Sequence, residues 1–201
     1  MDDVPYTLSL VTAPAAEAVT IDDLRGFLRI DDCDEAEILQ RAVNAATTAV
    51  QDRCGVQLIT ATYDMKFLDF CRSTIVMPRL PLQSISSVKV TDDDGSQATV
   101  STSVYLTDLG SADRRGRIVL ASGQSWPTTS RAMLHGDVAV RFVAGFGDAA
   151  TDVPDSYTQQ ILLIAANLYE TRHPVCCGGG GGVVPLTMDL LDGLNMVAEF
   201  R

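Results

Sequence analysis

Apolar and polar positions alternate with different periods along the chain, and the changes of period divide it. Residues 1–19 are rich in Pro and Ala and are expected to form an extended N-terminal arm. Thr20 opens the first helical stretch. Its hydroxyl suits an N-cap, Asp23 completes a weak capping box, and Leu24, Phe27 and Leu28 share one face. Past the Asp31–Asp32 break, Asp34 is placed to cap a longer helix. Ile38, Leu39, Ala42, Val43, Ala46, Ala49 and Val50 form its buried stripe, and Gly55 stops it.

The period then falls to two. Ile59, Ala61, Tyr63, Met65 and Phe67 alternate with Thr60, Thr62, Asp64 and Lys66, as in a half-buried strand. Further strands are expected at 73–77, 85–91, 97–100, 117–120 and 138–143, with a hairpin turn at Asp92-Asp93-Asp94-Gly95. Helical spacing returns after Pro154, where Ile161, Leu162, Ala165, Leu168 and Tyr169 make a broad face that Ile164 and Ala166 widen. Gly178 to Gly182 cannot hold regular structure and read as a hinge. Beyond Pro185, Leu190, Leu191, Leu194 and Val197 lie on one helical face, with Phe200 following. These five apolar residues are the expected partner-binding segment, a tail that folds on contact.

The fold expected is α+β: a helical bundle, with helices near 20–30, 35–54 and 154–172, carrying an inserted, mostly antiparallel β lobe. The domains expected are the arm at 1–19, a helical domain of 20–56 plus 153–173, the β lobe at 57–147, and a glycine hinge with docking tail at 174–201. The chain's 201 residues suffice for one such domain and its inserted lobe.

Charge narrows the possible partners. Fifteen Lys and Arg stand against 26 Asp and Glu, a net charge of −11. Nucleic-acid binders recruit phosphate with a basic face, and here the densest basic group is Arg114, Arg115 and Arg117. Tight DNA binding is therefore not expected, whereas an acidic wall past which DNA slides is. No apolar run approaches the roughly 20 residues of a membrane helix, and no secretory signal opens the chain, so a soluble protein made in the cytoplasm is expected.

Reactive chemistry is poorly supplied. His135 and His173 sit in no recognisable constellation, and Ser122-Gly-Gln-Ser125 is not a nucleophile elbow. The glycine run lacks the Lys-Ser/Thr of a phosphate-binding loop, and the Asp92–Asp94 run lacks the distal glutamate of a calcium loop. Cys33, Cys54, Cys71, Cys176 and Cys177 contain no CxxC pair and read as free thiols. His173, Cys176 and Cys177 lack a fourth zinc ligand. No catalytic residue, cofactor or metal is expected.

Several short segments, in order, carry a resemblance. LSLVTAPAAEAVTIDDLRGFLRID from Leu8 to Asp31 resembles the opening of the head-to-tail connector, or adaptor, proteins of long-tailed phages, prophages and gene transfer agents. Similar to that family are also AVQDRCGVQLITATY from Ala49, MPRLPLQSISSV from Met77, and the Asp-Gly hairpin. Ser125-Trp126-Pro127, VRFVAGFG from Val140, Val153-Pro154-Asp155 and Tyr169-Glu170-Thr171-Arg172 complete the series, which spans about residues 8 to 173. The resemblance implies a non-enzymatic virion protein of the neck, made in the bacterial cytoplasm. About twelve copies would form a ring under the portal protein, extend the DNA channel without binding DNA specifically, and dock a stopper or tail terminator. Two other readings follow less directly from the pattern: another neck protein, such as a stopper or tail completion factor, and a small enzyme with an unrecognised site.

Overall fold

The computed structural model describes residues 5–30, 35–70, 73–92, 95–128 and 137–171. The chain divides into two compact units, each drawn from separate stretches: Met1–Pro14 with Thr60–Gly145, and Ala15–Ile59 with Phe146–Arg201.

The first unit holds two antiparallel sheets. Five strands, β1 (Tyr6–Thr12), β2 (Ala61–Phe67), β8 (Val138–Ala144), β4 (Leu82–Thr91) and β5 (Gln97–Thr99), lie side by side in that order. Three more, β3 (Thr74–Val76), β7 (Arg117–Leu120) and β6 (Tyr105–Asp108), make the second sheet. Alternation decides which side chains go inward. In β8, Val138, Val140, Phe142 and Ala144 are buried, and Ala139, Arg141 and Val143 take the opposite face. Met65 and Phe67 of β2 and Val88 and Val90 of β4 join them, and Ile75, Met77, Tyr105 and Ile118 belong to the same core. The ring of Phe142 stacks on Tyr63 with centroids 5.7 Å apart, and Phe70 stacks on Trp126 at 4.4 Å. Two register shifts between β4 and β8 bend the ladder near Ser84 and Ser87. Gly116, just before β7, packs so closely on the Leu82 side chain and the Leu109 carbonyl that a Cβ there would collide with both.

The second unit holds three helices among the described residues. In α1 (Ile21–Leu28) the Thr20 hydroxyl accepts from the Asp23 N–H at 3.2 Å, and the Asp23 carboxylate accepts from the Thr20 N–H at 2.8 Å. Helix α2 (Ala36–Cys54) buries Leu39, Ala42, Val43, Ala46, Val50 and Cys54, and ends on Gly55 at φ 64°. Ile38 and Ala49, expected in that stripe, are exposed. At about 100° per residue both sit some 90° from the centre of the buried face. Helix α3 (Asp155–Thr171) buries Ile161, Ala165 and Ala166. Residues 150–152 form a 3-10 turn in which the Asp152 carboxylate accepts from the Ala149 N–H at 3.0 Å.

This architecture corrects the expected helical bundle with an inserted lobe. The described residues contain three helices against eight strands in two antiparallel sheets, so the protein is mostly β with few helices. Two of the strands leave no clear alternation in the sequence. Tyr6–Thr12 is an edge strand paired along β2, and Tyr105–Asp108 is a strand too short to show a period. One of the three helices has only 8 residues, too little to frame a bundle.

Candidate functional site

The expected partner-binding residues Leu190, Leu191, Leu194, Val197 and Phe200 lie outside the described residues, as do Gly178–Gly182, His135, His173, Cys33, Cys71, Cys176 and Cys177. What can be located is a set of surfaces.

The first is apolar. Phe27 on α1, Ile38 on α2 and Leu168 on α3 expose 39%, 42% and 46% of their surface. In α3, Leu168 stands one turn beyond the half-buried Ile164, so the helix face not turned to the core is apolar at this point. The Tyr169 hydroxyl donates to the Glu35 carboxylate and ties the two longer helices of this unit together.

The second is a sheet edge that no other strand covers among the described residues. Strand β1 reads Tyr-Thr-Leu-Ser-Leu-Val-Thr, pairs on one side with β2, and carries no charge or proline to discourage pairing on the other. Leu10 and Val11 on it are exposed.

The basic residues are arranged differently from their order in the sequence. Arg114 donates to both oxygens of Asp108 at 2.9 and 3.1 Å, and Arg117 donates to the same carboxylate at 3.0 Å. The Arg114 hydrogen bonds, then the Gly110 N–H, lower the Asp108 carboxyl to about 2. Arg114 and Arg117 thus share one carboxylate, while Arg115 between them is exposed. By contrast, Lys66 of β2 and Lys89 of β4 both pair in register with Ala139 of β8, so they flank one residue on the outward face of the five-stranded sheet. Arg141, two residues along β8, is on that face, and its guanidinium grips Asp64 with two hydrogen bonds of 2.8 Å. Those bonds hold the Asp64 carboxyl below its usual range against the opposing effect of burial. This basic row was missed in the sequence because its members are far apart. The signal was there in principle: each lysine occupies the polar position of an alternating strand.

At the expected hairpin turn between β4 and β5, the Gly95 N–H donates to the Asp92 carbonyl at 2.9 Å, and Asp93 and Asp94 lie outside the described residues. Ser122 and Ser125 are exposed in a loop. Among the described residues no three His, Cys, Asp or Glu side chains gather as a metal site, Cys54 is buried and in no disulfide, and no helix is long and apolar enough to cross a membrane.

Residues 17–152 match the family model for head completion proteins, and the chain belongs to that family. Its fold recurs in solved particles. A chain in the neck of an empty gene transfer agent particle, computed with C6 symmetry, aligns with a TM-score of 0.75 at 23% identity over 94% of both chains. One in the virion of the native gene transfer agent aligns at 0.73 and 23% over 93% of this chain and 94% of that one. One in the neck of the native particle, computed with C12 symmetry, aligns at 0.72 and 22% over 94% of both. Comparison with curated proteins found no match.

Proposed function

We propose that the protein is a structural head-to-tail adaptor in the neck of a phage or gene transfer agent particle. Copies form a ring beneath the portal protein, prolong the DNA channel, and receive the stopper or tail terminator on the far side. The observation that carries this reading is the family match over residues 17–152 on a chain whose fold agrees almost end to end with neck chains. The C6 and C12 symmetries of those particles support a cyclic arrangement. Cyclic rings need heterologous contacts, one face of a subunit meeting a different face of the next. The exposed apolar positions of the three helices and the open edge of β1 supply such faces. The role asks for contact and shape, and for a channel that DNA passes without specific binding, which a net charge of −11 favours by repelling phosphate.

Negative-stain imaging of the purified protein with isolated portal tests the reading. A ring stacked on the portal is expected, and portals that stay bare at saturating protein would overturn it. A stopper or tail completion factor is the second reading, and the β-rich fold removes the helix count as a reason against it. In the same images such a protein would leave the portal bare and add only after a separate adaptor. The tail keeps its proposed role: residues 183–201 contact the portal or an adjacent subunit. Deleting them is expected to abolish attachment to portal-containing heads, and unchanged attachment would remove that role.

A further inference from the structure

Charge is divided very unequally between the two units. The unit of 1–14 and 60–145 carries nine basic and ten acidic residues, a net of −1; that of 15–59 and 146–201 carries six and sixteen, a net of −10, together the −11 of the chain. Both lysines of the whole sequence lie in the first unit and on one face of one sheet. Neighbouring strands run about 4.8 Å apart, so the two lysine backbones are about 10 Å apart across β8. Arg141 extends the row. Of the two acids at outward positions along these strands among the described residues, Asp64 has both oxygens on Arg141, and Asp137, opposite Thr91 just before β8, is buried and so presents no charge at the surface. Lys66 and Arg141 are exposed, and neither lysine is ion-paired among the described residues. An acidic chain therefore presents one locally cationic face, with a surplus of two positive charges among Lys66, Lys89, Arg141 and Asp64.

Resting on the ring proposed above, we infer that this face receives the acidic unit of a neighbouring copy, Lys66 and Lys89 meeting carboxylates from 15–59 and 146–201 of that copy. The partner follows from the charges. Two acidic units set against each other would repel, whereas the cationic sheet face and the acidic unit attract, and both are present in every subunit. The two faces differ, as a heterologous ring contact requires. Exposed acids such as Glu17, Asp22, Glu37, Asp148 and Asp155 put counter-charges on that unit. DNA is the other anionic candidate. Three cations on a chain of charge −11 make too few phosphate contacts to hold it against the field of the rest.

Zero-length carbodiimide coupling on rings assembled on portal tests the contact, using a mixture of isotopically light and heavy copies read by mass spectrometry. It joins amines to carboxylates, and since Lys66 and Lys89 are the only side-chain amines of this chain, every lysine link within the ring reports this face. Mixed-isotope links to carboxylates of 15–59 or 146–201 are expected. In parallel, Lys66→Glu with Lys89→Glu should weaken ring formation about tenfold or more, while Lys66→Arg with Lys89→Arg preserves it. Rings whose lysines link only within one copy, link only to carboxylates of 60–145, or link to nothing would overturn the inference. Lysines that react freely in the ring and become protected only when DNA is added would assign the face to the channel instead. Bare portals would bring down the ring reading itself, and this contact with it.

Discussion

Asp64 and Arg141 join β2 to β8 through two parallel hydrogen bonds at a site where the acid side chain is 17% exposed and the guanidinium 45%. Because the Arg141 hydrogen bonds lower the folded carboxyl, the pair stabilises the fold in full above the unfolded carboxyl value of about 3.9. That contribution is lost as pH falls through the lower folded value. The guanidinium is open to solvent, so screening keeps this contribution small. Urea midpoints at pH 6 and pH 2.5 should therefore differ more for the natural protein than for Asp64→Asn. Equal pH dependence in the two proteins would show that the pair adds nothing. Phe142 is a simpler case. It is fully buried in the central strand and stacked on Tyr63, so Phe142→Ala should cost about 3–5 kcal/mol in denaturant unfolding.

Among the elements, α1 depends most on its ends. It has 8 residues, and the reciprocal Thr20–Asp23 bonds satisfy donors that no other part of so short a helix can. Thr20→Ala should cost about 1 kcal/mol, seen as a lower midpoint with an unchanged slope against denaturant. This cap was legible in the sequence, as was α2, whose stripe of Leu39, Val43, Ala46 and Val50 and stop at Gly55 are local signals. What was not legible depends on partners far along the chain. Strand β1 hides in a Pro- and Ala-rich stretch because, at a sheet edge, only Leu8 meets the core and alternation is weak. Pairing of Thr74–Val76 with Arg117–Leu120 leaves no trace in either segment. Likewise the basic row exists only because β8 runs between β2 and β4.

For the whole molecule, net charge and charge distribution make opposite demands on assembly. Subunits that met as bodies of uniform charge −11 would associate better as salt screened them. Subunits that meet cationic face to acidic unit lose attraction instead. Raising salt from about 50 to about 500 mM should therefore reduce ring occupancy on the portal, counted in stained images. Occupancy that rises with salt would mean that apolar positions such as Leu168 and Ile38, and not charge, govern the contact.

Strand β8 lies between β2 and β4, yet it is the last of the eight to leave the ribosome. Translation at about 5–20 residues per second reaches Ala144 only after about 7–30 s. Until then the two strands that will flank it have no shared neighbour, and each offers an unpaired row of peptide groups to other nascent chains on the same message. The sheet thus closes from its middle, late, and a cell making many copies at once must shield these half-finished chains from one another before any of them is fit to join a particle.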